Sequence, residues 1–125
     1  MPVLVDSSVW MSHYKQPNRH LFKLWQIDEV LCHPMVIGEV ACGTPPKPRA
    51  KSLSMLKELP KSVCATMDDV IRTIERDFLY GAGCGFIDLS LLVSTIITPG
   101  AKLWTFDKRL STLAEKAGVN YSPKE

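Results

Sequence analysis

The fold is decided near the start of the chain by the stretch Val3-Leu4-Val5-Asp6-Ser7-Ser8. The three aliphatic residues at its start favour a strand, whereas aspartate and serine favour a helix N-cap over a strand interior. The stretch therefore predicts a strand that passes directly into a helix.

The same change from strand to helix recurs along the chain. Apolar residues at a 3.6-residue spacing, with capping and breaking residues beside them, predict further helices at about residues 18–26, from 34, around 53–59, at 66–78, at 86–97 and at 107–117. Further strands are predicted at residues 30–32, 63–65, 103–106 and 119–121. Strands that alternate with helices imply an α/β fold with a mostly parallel sheet covered on both faces.

Composition limits the possible classes of protein. A chain of 125 residues, with 46% hydrophobic and 22% charged residues, is expected to form one domain over residues 1–125. No apolar stretch reaches the roughly 20 residues that a membrane span requires, so we expect a cytoplasmic protein without membrane contact. The four cysteines lack zinc-ligand spacing and are expected to be reduced and mostly buried. A net charge of +2 only weakly favours a polyanionic partner.

Four acidic residues differ from the others in being isolated within apolar segments. They are Asp6, Glu39, Asp88 and Asp107. A carboxylate removed from water costs several kcal/mol unless something compensates it. Asp6 and Asp107 could be simple N-caps, and Asp88 could merely complement a helix dipole. Glu39 has neither explanation, because it lies beyond the first turn of its helix and no lysine follows four residues later.

The expected topology brings these positions together. In a parallel sheet, strand C-termini and helix N-termini share the edge where ligands bind. Carboxylates that converge there would repel one another, so the site would need a cation. Ligation by oxygen alone selects Mg²⁺, or Mn²⁺, over zinc.

At this point the chain resembles the PIN-domain nucleases, and specifically the VapC toxins of bacterial and archaeal toxin–antitoxin pairs. The resemblance spans the whole chain and rests on Glu39 and on three blocks, which are Val3-Leu4-Val5-Asp6-Ser7-Ser8-Val9-Trp10, Leu79-Tyr80-Gly81-Ala82-Gly83-Cys84-Gly85-Phe86-Ile87-Asp88 and Trp104-Thr105-Phe106-Asp107-Lys108-Arg109-Leu110. It implies a PIN-like three-layer α/β/α fold with a central sheet of about four to five strands.

The resemblance also implies an activity, a metal and partners. The family's acidic quartet falls on Asp6, Glu39, Asp88 and Asp107, which would hold Mg²⁺ or Mn²⁺, and its supporting hydroxyls fall on Ser8 and Thr105. The implied reaction is metal-dependent hydrolysis of RNA phosphodiester bonds. The implied partners are a VapB-type antitoxin, which would neutralise the enzyme, and a second copy of the chain in a homodimer.

Basic residues offer candidate RNA contacts. Lys47, Arg49 and Lys51 lie in a segment without acidic residues, and Lys108 and Arg109 directly follow Asp107. A solvated loop and helix face explains the first three more simply than RNA contact does.

Two other functions remain open from the sequence. A receiver-type phosphoacceptor domain has a similar size and fold, but it would need an acidic pair where this chain has Asp6-Ser7. A non-catalytic PIN-like binding module would keep the fold, but it gives no reason to retain four mutually repelling acids.

Overall fold

The computed structural model describes residues 1–123. Within them lie three strands and seven helices. In chain order these are β1 (Val3–Val5), α1 (Ser7–Lys15), α2 (Arg19–Gln26), β2 (Val30–Leu31), α3 (Pro34–Cys42), α4 (Arg49–Glu58), α5 (Met67–Arg76), α6 (Phe86–Ile97), β3 (Lys102–Trp104) and α7 (Lys108–Lys116). The predicted α/β fold is confirmed.

The strands form a parallel sheet in the order β2-β1-β3. Val3 of β1 pairs with Val30 on one side and with Lys102 on the other. All three residues of β1 are buried, because the strand has a neighbour on each side and helices pack over it. The predicted parallel arrangement is confirmed, but the described residues contain three strands and not four to five.

The two predicted segments that do not become strands, residues 63–65 and 119–121, differ in their hydrogen bonds. Residues 63–65 form no strand, because side-chain hydroxyls take their backbone N–H groups: Val63 donates to Thr98 Oγ1 at 2.9 Å and Ala65 to Ser94 Oγ at 3.0 Å. The parallel bridge at this edge falls instead at Lys61, opposite Cys32. Residues 119–121 pair with β3 through a single bridge at Asn120.

The helices follow the predicted boundaries more closely. The capping box of α5 is present between Thr66 and Asp69, and α3 begins with Pro34 as its first residue. Residues 89–95 of α6 are all buried, in agreement with a central helix. The apolar face predicted for residues 66–78 is partly wrong: α5 ends at Arg76, and both Ile71 and Phe78 are exposed.

Two expectations from composition can also be compared with the structure. None of the helices in residues 1–123 is both long and apolar enough to cross a membrane. All four cysteines are free thiols, but only Cys32 is buried, whereas Cys42 and Cys64 are exposed. The prediction of mostly buried cysteines was therefore wrong, because the other three lie near helix ends or in loops.

Candidate active site

Asp6 stands at the carboxyl end of the central strand. Its backbone N–H donates to the carbonyl of Trp104 at 2.9 Å, which joins it to the end of β3, and the residue is only 4% exposed. Its Oδ2 accepts hydrogen bonds from Ser8 Oγ at 2.6 Å and from Thr105 Oγ1 at 2.8 Å. Asp6 precedes α1 but makes no side-chain cap bond, so its interpretation as a simple N-cap is wrong.

The two hydroxyls also hold the chain that follows β3. Ser8 Oγ accepts the N–H of Phe106 at 3.0 Å, and Thr105 Oγ1 accepts the N–H of Asp107 at 3.0 Å. Each hydroxyl thus donates to the Asp6 carboxylate and accepts from the loop. The structure therefore places both Ser8 and Thr105 against the Asp6 carboxylate.

Asp107 reaches the same edge from β3. Its Oδ1 accepts the N–H of Leu110 at 3.0 Å, so Asp107 is the N-cap of α7, as one of the two sequence interpretations had it. The residue is exposed. A cap uses one carboxylate oxygen and leaves the other open to a further partner.

Glu39 approaches from α3. It is half-buried, and its Oε1 accepts a hydrogen bond from Ser7 Oγ at 2.9 Å. Burial raises the pKa of Glu39; the bond from Ser7 opposes this, while Asp6 and Asp88 raise the pKa further. The sequence analysis assigned no role to Ser7. Its position between Asp6 and Ser8 is the only feature of the sequence that could have indicated one.

Asp88 completes the group from the first turn of α6. Burial raises the pKa of Asp88, and the charges of Asp6 and Asp107 raise it further. A hydrogen bond with the Gly85 backbone lowers it in part. The pKa of the neighbouring Cys84 thiol is raised by burial and then by Asp88 and Asp107. Asp88 is therefore within electrostatic range of Asp6 and Asp107, and Glu39 is within range of Asp6 and Asp88.

No ion pair within residues 1–123 involves these four carboxylates, although the positive charge of Arg109 lowers the pKa of the neighbouring Cys84 thiol. The three ion pairs found within residues 1–123 lie elsewhere, at Glu29, Asp69 and Asp77, and no cation contributes to the pKa of Glu39 or Asp88. In the same part of the chain, no three acidic, histidine or cysteine side chains come close enough together to hold a metal ion. The carboxylates are gathered but not closed around a common point.

The two basic residues after Asp107 lie at the rim. Arg109 Nη1 is 3.5 Å from the carbonyl of Gly83, and its side chain fills the space that a Cβ on Gly83 would need. Gly83 also has a positive φ of 85°, which favours glycine. Lys108 is exposed as the first residue of α7. Contact of Lys108 and Arg109 with RNA therefore stays a prediction.

The other predicted RNA contacts divide into two kinds. Lys47 and Lys51 are exposed, with free access for a phosphate. Arg49 instead donates to the carbonyls of Ala41 at 2.8 Å and Gly43 at 3.1 Å. Its guanidinium therefore covers the carboxyl end of α3, where helix carbonyls lack partners, and this structural role explains its position without RNA.

Known proteins include relatives that match almost the whole chain. The chain is 41% identical over 117 residues to ribonuclease VapC32 of Mycobacterium tuberculosis, in both strain CDC 1551 / Oshkosh and strain ATCC 25618 / H37Rv, with 94% of each chain covered. The chain belongs to the VapC ribonuclease family. No family model matches it, and no solved structure gives a significant match. The VapC relationship covers almost the whole chain, so it is not confined to one motif.

Proposed function

We propose that this VapC family member is a toxin with a PIN-like nuclease domain over residues 1–125, which hydrolyses internal phosphodiester bonds of RNA in a metal-dependent reaction. The observation that carries the proposal is that acidic residues from separate parts of the chain raise the pKa values of Glu39 and Asp88, while no ion pair within residues 1–123 involves any of the four. Two unit charges about 4–8 Å apart repel by about 2–4 kcal/mol at an effective dielectric of 20. A bound divalent cation would offset such repulsion.

The donor set suits Mg²⁺, with Mn²⁺ as a substitute, because all four side chains offer carboxylate oxygens and these ions prefer oxygen ligands. Asp6, Glu39, Asp88 and Asp107 would hold the ion. When bound, the ion supplies an activated water and neutralises charge that builds on the scissile phosphate.

The other residues of the site keep the carboxylates in place. Ser8 and Thr105 restrain one oxygen of Asp6, so the other oxygen is the one presented to the site. Ser7 fixes one oxygen of Glu39 in the same way. Such supporting hydrogen bonds orient ligands before the ion and the substrate arrive, which lowers the cost of binding both.

Three further properties belong to the proposal. VapC family membership implies an RNA substrate and a VapB-type antitoxin as partners, and a cytoplasmic location fits a toxin that acts on RNA. A homodimer is part of the proposal because the resemblance to VapC toxins implies one. Lys47, Lys51, Lys108 and Arg109 remain candidate RNA contacts, because their side chains are exposed.

The variant Asp6→Asn tests the role of the carboxylates. The amide oxygen can still accept the bonds from Ser8 and Thr105, so we expect the fold to remain while the charge at the site is lost. RNA cleavage in excess Mg²⁺ should fall at least a hundredfold. The measurement is the rate of cleavage of total RNA, with circular dichroism and thermal unfolding to verify the fold.

Asp68→Asn is the matched control, because Asp68 is an exposed aspartate in the first turn of α5. It should cleave RNA at the original rate. Full activity of Asp6→Asn would remove the quartet from the mechanism. Absence of any Mg²⁺- or Mn²⁺-dependent cleavage by the unaltered protein would favour a non-catalytic binding module.

A further inference from the structure

A groove opens beside the carboxylates, between the start of α2 and the end of β3. It has a volume of about 780 Å³, and its lining includes Arg19, His20, Lys23, Trp104 and Phe106. None of the predicted RNA contacts lies in it. A groove of this size falls within the range of ligand-binding pockets.

The groove is connected to the site through Phe106. The backbone N–H of Phe106 donates to Ser8 Oγ, and that hydroxyl donates to Asp6 Oδ2. The Phe106 backbone, whose side chain lines the groove, is therefore joined through a single hydroxyl to the Asp6 carboxylate.

The charge of the groove is opposite to that of the site. Arg19 and Lys23 are exposed and four residues apart on α2, so they project from the same face of the helix. Within residues 1–123, no acidic residue lines the groove and neither side chain forms an ion pair. Positive charge beside a group of carboxylates suits a phosphate backbone.

The groove also presents an aromatic surface. Phe106 is 49% exposed, although its ring packs at 88° against the buried Trp104, with the ring centres 6.0 Å apart. On its other side, Trp104 contacts His20, whose Nε2 is 2.6 Å from the hydroxyl of Tyr121. These contacts hold the Phe106 ring in place while leaving part of it free for stacking.

We propose that this groove binds a nucleotide of single-stranded RNA next to the bond that is cleaved, with its base stacked on Phe106 and its flanking phosphates bound by Arg19 and Lys23. The inference rests on the proposed function for its choice of ligand. Single-stranded RNA fits because an unpaired base can leave its own stack and lie on an aromatic side chain, which a base within a duplex cannot do.

Equilibrium binding of a fluorescein-labelled, single-stranded RNA of random sequence tests the proposal. The measurement is fluorescence anisotropy in Mg²⁺ at several salt concentrations, with Asp6→Asn as the common background and a gel to verify that the RNA stays intact. Phe106→Ala should weaken binding about tenfold without changing its salt dependence. Arg19→Gln and Lys23→Gln should each weaken binding and reduce the slope of log K against log salt by about 0.7.

Three variants serve as controls. Phe106→Leu keeps an apolar contact with Trp104 but loses the aromatic face, so it should fold as before and bind as weakly as Phe106→Ala. Phe78→Ala and Lys116→Gln change an exposed aromatic and an exposed lysine at a distance from the groove, and neither should alter binding. Thermal unfolding of each variant verifies the fold.

The outcomes separate this inference from the proposed function. Equal binding by the Phe106, Arg19 and Lys23 variants and the background would overturn the groove as an RNA subsite, whether or not the protein cleaves RNA. Absence of RNA binding by the background would overturn it as well. If the expected pattern appears but the unaltered protein cleaves no RNA, the proposed function fails and the subsite stands.

Discussion

At the scale of single residues, the hydroxyl of Thr105 links two acidic residues of the site. Its hydroxyl donates to Asp6 Oδ2 and at the same time accepts the N–H of Asp107, and the residue is buried. Both partners belong to the proposed quartet. A buried polar group that loses its partner costs more than the net value of the bond, because water cannot replace the partner.

The substitution Thr105→Val therefore has a specific expected effect. Valine has nearly the same shape but no hydroxyl, so it leaves an oxygen of Asp6 and the N–H of Asp107 without this partner. The free energy of unfolding should fall by about 1–3 kcal/mol. Urea unfolding measures the change.

Two variants provide the comparison for Thr105→Val. Thr105→Ser retains the hydroxyl and should recover most of the loss. Thr112→Val removes a threonine hydroxyl that donates to the Lys108 carbonyl on the exposed face of α7, so it should cost less. Equal losses for the valine variants at positions 105 and 112 would contradict a special role for the Thr105 hydroxyl.

At this scale, the sequence was sufficient to single out the four acidic residues but not the hydroxyl that orients Glu39. Asp6, Glu39, Asp88 and Asp107 could be singled out because a charge within an apolar segment is conspicuous in the sequence itself. Ser7 could not, because its bond to Glu39 joins residues 32 positions apart. A hydroxyl that follows an aspartate is equally suited to a cap, and only the packing of α1 against α3 gives it a carboxylate to orient.

At the scale of elements, His33 joins two helices that carry acidic residues of the site. Its Nδ1 accepts the N–H of Met35 at 3.0 Å and so caps α3, which contains Glu39. Its Nε2 must then carry the proton, and it donates to Ser94 Oγ of α6 at 3.2 Å. Because α6 contains Asp88, the neutral form of His33 helps to fix the spacing of the two helices.

This arrangement predicts a dependence of stability on pH. Burial lowers the pKa of His33 below its ordinary value of 6.5. Below 6.5 the unfolded chain takes up a proton more readily than the folded chain, so the free energy of unfolding falls as pH decreases from 6.5. Above 6.5 the contribution of His33 is fully present. Urea unfolding over pH 5–8 measures this dependence.

A variant isolates the histidine. His33→Asn keeps a side chain that can cap α3 but does not titrate, so its stability should fall less steeply below pH 6.5. Burial also lowers the pKa of His13, and the variant His13→Asn separates that contribution. An unchanged pH dependence in His33→Asn would contradict the assignment.

Helices were predicted better than strands, and the reason is local. The N-cap of α5 and the first proline of α3 act within one turn, so short stretches of sequence contain the whole signal. Strands depend on partners elsewhere in the chain. Residues 63–65 have a composition suited to a strand. However, the N–H groups of Val63 and Ala65 donate to the hydroxyls of Thr98 and Ser94, so they do not pair with a neighbouring strand.

At the scale of the whole molecule, the proposed metal couples the site to stability. An ion that binds only the folded chain stabilises it, by about 2.7 kcal/mol at a hundred times its dissociation constant. The unfolding temperature should therefore rise with added Mg²⁺ or Mn²⁺. Differential scanning calorimetry in EDTA and in increasing metal measures the change.

Neutral variants should separate metal binding from general salt effects. Glu39→Gln with Asp88→Asn should abolish most of the metal-dependent rise. The double variant should be at least as stable as the unaltered chain in EDTA, because two half-buried, mutually repelling charges are gone. Glu75→Gln, which changes an exposed acid of α5, should behave like the unaltered chain. An equal rise in all three proteins would exclude the quartet as the metal site.

The sequence by itself determined the α/β class, the starts of most helices and the four isolated acids, because these features depend on neighbouring residues or on contrast with them. Only the tertiary structure decided the three-strand width of the sheet, the bond between Ser7 and Glu39 and the role of Arg49 at the end of α3. The tertiary structure alone also decided the groove beside Phe106. Each depends on partners brought together from separate elements, and backbone or hydroxyl groups can choose among several such partners until the chain is packed.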